Sequence, residues 1–153
     1  EREQHHGLPP EPIRRLAALT MTGCGPEVAE TLKLSRAEGD RIIALDATRD
    51  PFDASSPQAV RRQIYAWGND GARDRLLLDW LDRIDGAAGS EALAIVESWP
   101  RPRFPIKGID VMKMGVPEGP QIGEILQRVE RWWIEHDFAP DRAACLVFAR
   151  NQV

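Results

Sequence analysis

Cysteine is scarce in this chain, and what there is stands isolated: Cys24 and Cys145 lie far apart, with no second ligand at metal spacing. That excludes a disulfide framework and a zinc site and leaves both as small buried hydrophobes. No apolar run approaches the roughly 18 to 20 residues of a membrane span, and Glu1-Arg2-Glu3-Gln4-His5-His6 offers no apolar signal segment. A cytoplasmic protein with no membrane partner is expected. An initiator Met is also missing, which an excised piece would explain, as would processing or disorder of the start. There is no G-x-x-x-x-G-K-[ST] phosphate loop. Nor is there a positive charge excess: 20 Lys and Arg against 24 Asp and Glu give a formal charge of -4. Domains that bind nucleic acid unaided are usually basic, so any such contact would need a local basic stripe or the rest of a larger enzyme.

What is present is an ordinary globular composition, 42% hydrophobic and 29% charged over 153 residues, enough for one or two compact units. Apolar residues recur at helical spacing, and no bounded run alternates strictly as a half-buried strand would. The fold class expected is all-α, an antiparallel helical bundle or array with a smaller C-terminal helical tail. Ile13, Leu16, Ala17 and Thr20 share one face of a first helix that Pro12 can open and that Gly23 and Gly25 break. Val28, Ala29 and Leu32 mark a second. Ser35-Arg36-Ala37-Glu38 has the spacing of a capping box and starts a third, through Ile42, Ile43 and Leu45. Ser56-Pro57 starts a helix bearing Val60, Ile64 and Trp67. Gly68-Asn69-Asp70-Gly71 reads as a tight turn, followed by Leu77, Trp80, Leu81 and Ile84, with Gly86 and Gly89 as the stop. Ser90 then caps a helix with Ala92, Ile95, Val96 and Trp99 on one side, ended by Pro100 and Pro102.

Residues 1–100 are therefore expected to form the bundle, and Arg101-Pro102-Arg103-Phe104-Pro105 begins a basic, proline-rich hinge over 101–106. Residues 107–153 form the tail: a helical turn around Asp110 to Met114, a long amphipathic helix with Ile122, Ile125, Leu126, Val129 and Trp133 on one side, and a last helix opened by Asp141 that docks Leu146 and Phe148.

The informative stretch runs from Lys107 to Leu126. Gly119-Pro120 starts a helix whose first N–H groups have no partner within the helix and sit at the positive end of its dipole, where a phosphate can bind. Gly123 removes a side chain from the opening of that helix, at a cost of roughly 1 kcal/mol of propensity. Two readings stand side by side: close approach of a polynucleotide backbone, or tight helix packing with Gly119 as a mere cap. Lys107, Lys113, Arg128 and Arg131 offer a basic stripe, although Glu124, Glu130 and Glu135 interleave with it and plain solvated charge would look the same.

Lys107-Gly108-Ile109-Asp110, then Gly115-Val116-Pro117-Glu118-Gly119-Pro120-Gln121-Ile122-Gly123, resembles the carboxy-terminal signature of the bacterial tRNA nucleotidyltransferase (CCA-adding) and poly(A) polymerase family. Trp132-Trp133-Ile134-Glu135 with Asp137-Phe138, Arg14-Arg15-Leu16-Ala17-Ala18-Leu19 and Leu34-Ser35-Arg36-Ala37-Glu38 resemble its helix end, neck and body. The resemblance implies a module that binds tRNA or another RNA 3′ region through Lys107, Gly108, Lys113, Gly119, Gly123, Arg128 and Arg131. It implies an amino-terminal catalytic domain as partner, with Mg2+ and CTP or ATP belonging to that head and no cofactor here. A module serving every tRNA should read shape, phosphates and 2′-hydroxyls.

The family's paired aspartates after a Gly-Ser turn, which would hold two metals, have no match here, so no catalytic residue is assigned. Asp46-Ala47-Thr48-Arg49 and Asp70-Gly71-Ala72-Arg73 share the D-x-x-R spacing of the family's nucleotide-selecting motif but lie at turns and receive no role. His5-His6 lacks partnering carboxylates. Trp67, Trp80, Trp99 and Trp133 occupy apolar stripes and belong to the core; Trp132 is the tryptophan most expected at the surface. The competing function is a helical protein–protein interaction domain with no RNA role.

Overall fold

The structure is a computed structural model that describes residues 9–20, 23–47, 51–80 and 84–153. His5-His6, Thr48-Arg49 and Leu81 lie outside them. Among the described residues there are eight helices and no strand, so the fold is all-α. The helices are α1 (Pro12–Leu19), α2 (Gly25–Thr31), α3 (Arg36–Ala47), α4 (Pro57–Asp79), α5 (Gly86–Ser98), α6 (Gly108–Met112), α7 (Pro120–Glu135) and α8 (Arg142–Arg150). The chain divides into two compact units, Glu1–Pro100 and Arg101–Val153.

In the first unit α4 packs against α5, while α3 joins α1, α2 and α4. Phe52, Val60, Ile64, Ala72, Leu76, Leu77, Trp80, Ala92 and Val96 form the core, with Trp67 and Trp99 packed against it. Capping follows local chemistry. Glu11 accepts from the Ile13 and Arg14 N–H groups, Ser56 Oγ from Ala59 N–H at 3.1 Å, and the expected box at Ser35 closes with Glu38 accepting the Ser35 N–H at 2.9 Å.

Several local expectations are overturned. Gly68 to Gly71 is not a four-residue turn: the break falls at Gly68 alone, with φ 75° and ψ 168°, and two helical stretches of α4 meet at that kink. The Asn69 amide explains why the chain stays compact there, since it donates to the Val96 and Trp99 carbonyls at 2.8 and 2.9 Å. Nor do Gly86 and Gly89 stop a helix; both lie in α5, which Asp85 caps, and Ser90 Oγ merely donates back to the Gly86 carbonyl. Gly89 is there because the Trp80 indole fills the place where a Cβ would be. Gly25, expected as a breaker, opens α2, and Asp46 on α3 accepts the N–H groups of Gly23 and Gly25, both at 2.9 Å. Leu32, placed on a packed face by periodicity, is 53% exposed.

In the second unit α6, α7 and α8 pack on one another around Ile106, Val111, Val116, Ile125, Val129, Trp133, Cys145 and Ala149. Phe104, from the proline-rich stretch, contacts the Trp133 ring at 5.6 Å between centroids, and Trp133 Nε1 donates to the Pro140 carbonyl. The expected Asp141 cap is present, its carboxylate accepting the Ala144 N–H at 2.8 Å. Trp132 departs from expectation. It is only half exposed, because Phe148 stacks on it at 4.5 Å with the planes 6° apart and the His136 ring lies 4.8 Å away.

Candidate nucleic-acid interface

The acidic excess is not spread evenly. Residues 1–100 hold 12 of the 20 basic and 17 of the 24 acidic side chains, whereas 101–153 hold 8 and 7. The second unit is thus close to neutral, at +1, while the chain as a whole is at -4, so the acidic excess lies in the first unit.

Within that unit α7 begins in an unusual way. Its N-cap, Gly119, has no side chain, and no side chain accepts a hydrogen bond from the first turn. Gly119, Pro120 and Gln121 are exposed, and so is Gly123 one turn on. Apart from the adjoining residues and the backbone of the helix itself, no described atom lies within 4 Å of where a Cβ would stand at either Gly119 or Gly123. Nothing therefore packs on Gly123, and the opening of the helix faces solvent with its N–H dipoles.

The expected basic residues lie at different distances from this opening. Lys107 and Lys113 flank α6 and are exposed, and neither forms a salt bridge. Arg128 and Arg131 lie on the exposed side of α7, roughly 12 to 17 Å along its axis from Pro120 at 1.5 Å per residue. Arg128 shares its charge with Glu124 at 3.9 Å, a contact of little worth between two exposed groups. Gly108 serves packing: a Cβ there would stand 3.3 Å from Ile122 Cγ2, so α6 fits closely against the first turn of α7.

Asp110, between the two lysines, turns inward. It is 7% exposed, accepts the Lys107 N–H at 2.8 Å and is gripped by the Arg142 guanidinium of α8. Arg142 first, and then the Lys107 N–H, hold its carboxyl below the ordinary aspartate range. The glycine-x-aspartate step is therefore a structural clasp that fixes α6 beside the start of α7. Sequence reading had no signal for Arg142.

A groove of about 500 Å³ in the first unit is lined by Glu11, Arg14, Arg41, Asp70, Arg73 and Glu97 among others. Its guanidiniums are already held: Arg14 Nε and Arg41 Nε bind Asp74 at 2.8 and 2.7 Å, and Arg73 binds Asp70 at 2.7 Å and Glu97 at 2.5 Å. The D-x-x-R pair Asp70 and Arg73 is thus an i, i+3 ion pair, and Asp46 of the other such spacing is spent on the Gly23 and Gly25 amides. Among the described residues no group of three or more His, Cys, Asp or Glu could hold a metal ion. No helix among them is long and apolar enough to cross a membrane.

Comparison with known proteins gives one distant likeness to report. The chain is 26% identical over 133 residues to the CCA tRNA nucleotidyltransferase 1, mitochondrial, of Danio rerio. The match takes in 86% of this chain and 31% of that protein, so the chain spans about a third of the relative's length. No protein-family model matches the chain, and no solved structure matches it.

Proposed function

We propose that this chain is the RNA-holding, non-catalytic part of a template-independent nucleotidyltransferase of the bacterial kind, one that adds CCA or A residues to RNA 3′ ends. The observation that carries the reading is the opening of α7, uncapped, glycine-bearing and open at Gly119 and Gly123, in a unit that does not share the acidic excess of the chain. Lys107 and Lys113 at the two ends of α6, which Gly108 seats against the first turn of α7, and Arg128 and Arg131 further along α7 would supply the positive charge. A phosphate there meets the partial positive charge of the helix and bare N–H donors, with no side chain in the way. Such contacts read backbone and shape, which suits a module that must accept every tRNA.

The likeness to a CCA tRNA nucleotidyltransferase supplies the class of partner. On this reading the catalytic carboxylates, Mg2+ and CTP or ATP belong to a separate amino-terminal head, and the setting is the cytoplasm. The test is binding of unfractionated tRNA, measured by filter retention between 50 and 200 mM salt, about the range over which phosphate contacts show their effect. Binding that weakens steeply with salt is expected. Affinity that is absent, or flat with salt, would leave the chain as a protein-interaction module.

A further inference from the structure

We infer that the groove between the start of α1 and helices α3, α4 and α5 binds the carboxylate head of a small aliphatic acid on Arg41 and Arg73, an inference independent of the RNA reading above. The two guanidiniums are held alike. Asp74 accepts from Arg41 Nε and Nη2 at 2.7 and 2.8 Å, and Glu97 accepts from Arg73 Nε and Nη2 at 2.5 and 3.1 Å. A further carboxylate sits on Nη1 of each, Glu11 at 3.2 Å and Asp70 at 2.7 Å. That leaves, on each arginine, one N–H of each terminal nitrogen with no partner among the described residues. These donors are not sealed in: the two side chains are 36% and 26% exposed, and no buried side-chain nitrogen lacks a partner.

The four carboxylates differ in how firmly they are committed. Asp74 is buried against Arg14 and Arg41, Glu11 caps α1, and Glu97 grips Arg73 at two points. Asp70 is the loose one. Its side chain is 88% exposed and meets Arg73 through a single oxygen, a contact of little worth in water. Its charge acts on Arg41 as well, so Asp70 behaves as a tethered carboxylate that a ligand can replace. The replacement exchanges one negative charge for another and gains planar donors whose positions are already fixed by Asp74 and Glu97. Pro9 and Pro10 line the same groove and offer apolar rings to a short alkyl body, within about 500 Å³. Charge also limits the head to a single carboxylate. The groove sets four acids against Arg14, Arg41 and Arg73, and residues 1–100 hold 17 acidic to 12 basic side chains. A phosphate dianion or a polynucleotide is repelled there, whereas one-for-one exchange with Asp70 leaves the balance as it was.

The test titrates the full chain with hexanoate and follows the Arg Nε–H signals by nuclear magnetic resonance, with inorganic phosphate and hexylamine as the other probes. Hexanoate should shift the Arg41 and Arg73 signals with a Kd of about 1 to 10 mM, and neither other probe should do so. Asp70→Asn should tighten hexanoate about two- to fivefold, since the tethered competitor is gone. Arg73→Gln should abolish the shift at Arg41. Should that variant lose helical circular dichroism, Arg73→Lys keeps the charge without the planar fork and should weaken hexanoate at least about fivefold. Silence towards hexanoate, or unchanged or weaker binding by Asp70→Asn, overturns the inference. So does saturable binding of hexylamine in its place, which would mark a cation site. Loss of tRNA binding by Arg73→Gln with hexanoate silent would overturn it too, by making the groove an RNA contact.

Discussion

Asp110 and Arg142, 32 residues apart, meet prong to prong: Nη1 lies 3.1 Å from Oδ2 and Nη2 lies 2.5 Å from Oδ1. Arg142 Nη1 also donates to the Pro105 carbonyl at 2.6 Å. One guanidinium therefore ties the start of α8 to α6 and to the segment before it, with the planar, two-point geometry that Arg offers and Lys does not. Because α6 carries Lys107 and Lys113 at its two ends, the clasp decides where those charges stand.

The first prediction concerns acid. The Asp110 carboxyl is held below its usual range, chiefly by Arg142, so its contribution is complete above the unfolded-state value of about 3.9 and is lost as pH falls from there through the folded value. Asp110→Asn should lower the melting temperature of the 101–153 unit at pH 7. The gap to the parent should close as pH falls below about 4, the unfolded-state value of an aspartate. Melts followed by amide hydrogen exchange of residues 101–153 check this, and a gap that stays constant into acid would show that the clasp does not set the stability of the unit.

Asp74 should be costly to change. It is 1% exposed and receives Arg14 Nε at 2.8 Å and Arg41 Nε at 2.7 Å, joining α4 to α1 and α3. Asp74→Asn removes the carboxylate from a buried ion pair, a loss of about 3 to 5 kcal/mol in general. The lower part of that range is expected, since the Arg41 side chain is 36% exposed and also reaches Glu11 at 3.2 Å. Urea unfolding measures it; a loss under about 1 kcal/mol would show that the network merely decorates the fold.

Two glycine-to-alanine changes should have opposite signs. Gly89→Ala puts a methyl into the Trp80 indole, which is 2% exposed and cannot swing away, and should cost about 1 to 3 kcal/mol. Gly123→Ala meets open space in α7 and should gain about 0.5 to 1 kcal/mol of helix stability. Thermal melts of both settle the signs, and destabilisation by Gly123→Ala would reveal a packing neighbour.

For RNA, Gly123→Glu places a carboxylate and bulk at the opening of α7, where it suits the helix dipole but repels phosphate. Helical circular dichroism should hold while tRNA affinity falls. Arg131→Gln should reduce the log–log salt slope by about 0.7 to 0.9, the loss of one phosphate contact. Arg128→Gln should reduce it less, because Glu124 already shares that charge. Equal slopes for both variants and the parent would take α7 out of the interface.

Ser35 with Glu38, Ser56 with Pro57, Asp141, and the apolar side of α7 could all be read from the sequence because their causes lie within one or two helical turns. So could the all-α class, since helical periodicity records which side of each segment is buried. The open surround of Gly123, the Trp80 ring over Gly89, the Trp132–Phe148 stack and the carboxylate clasps at Asp74 and Asp110 could not. Each depends on which atoms from another helix arrive at that place, and a one-dimensional pattern states that a residue is a glycine or an aspartate without stating what it will face. Local spacing thus determined the elements and their buried sides. Only packing decided which glycine is filled by an indole and which lies bare, and which acid is exposed and which is spent on an arginine, because those are matters of distance between segments far apart in the chain.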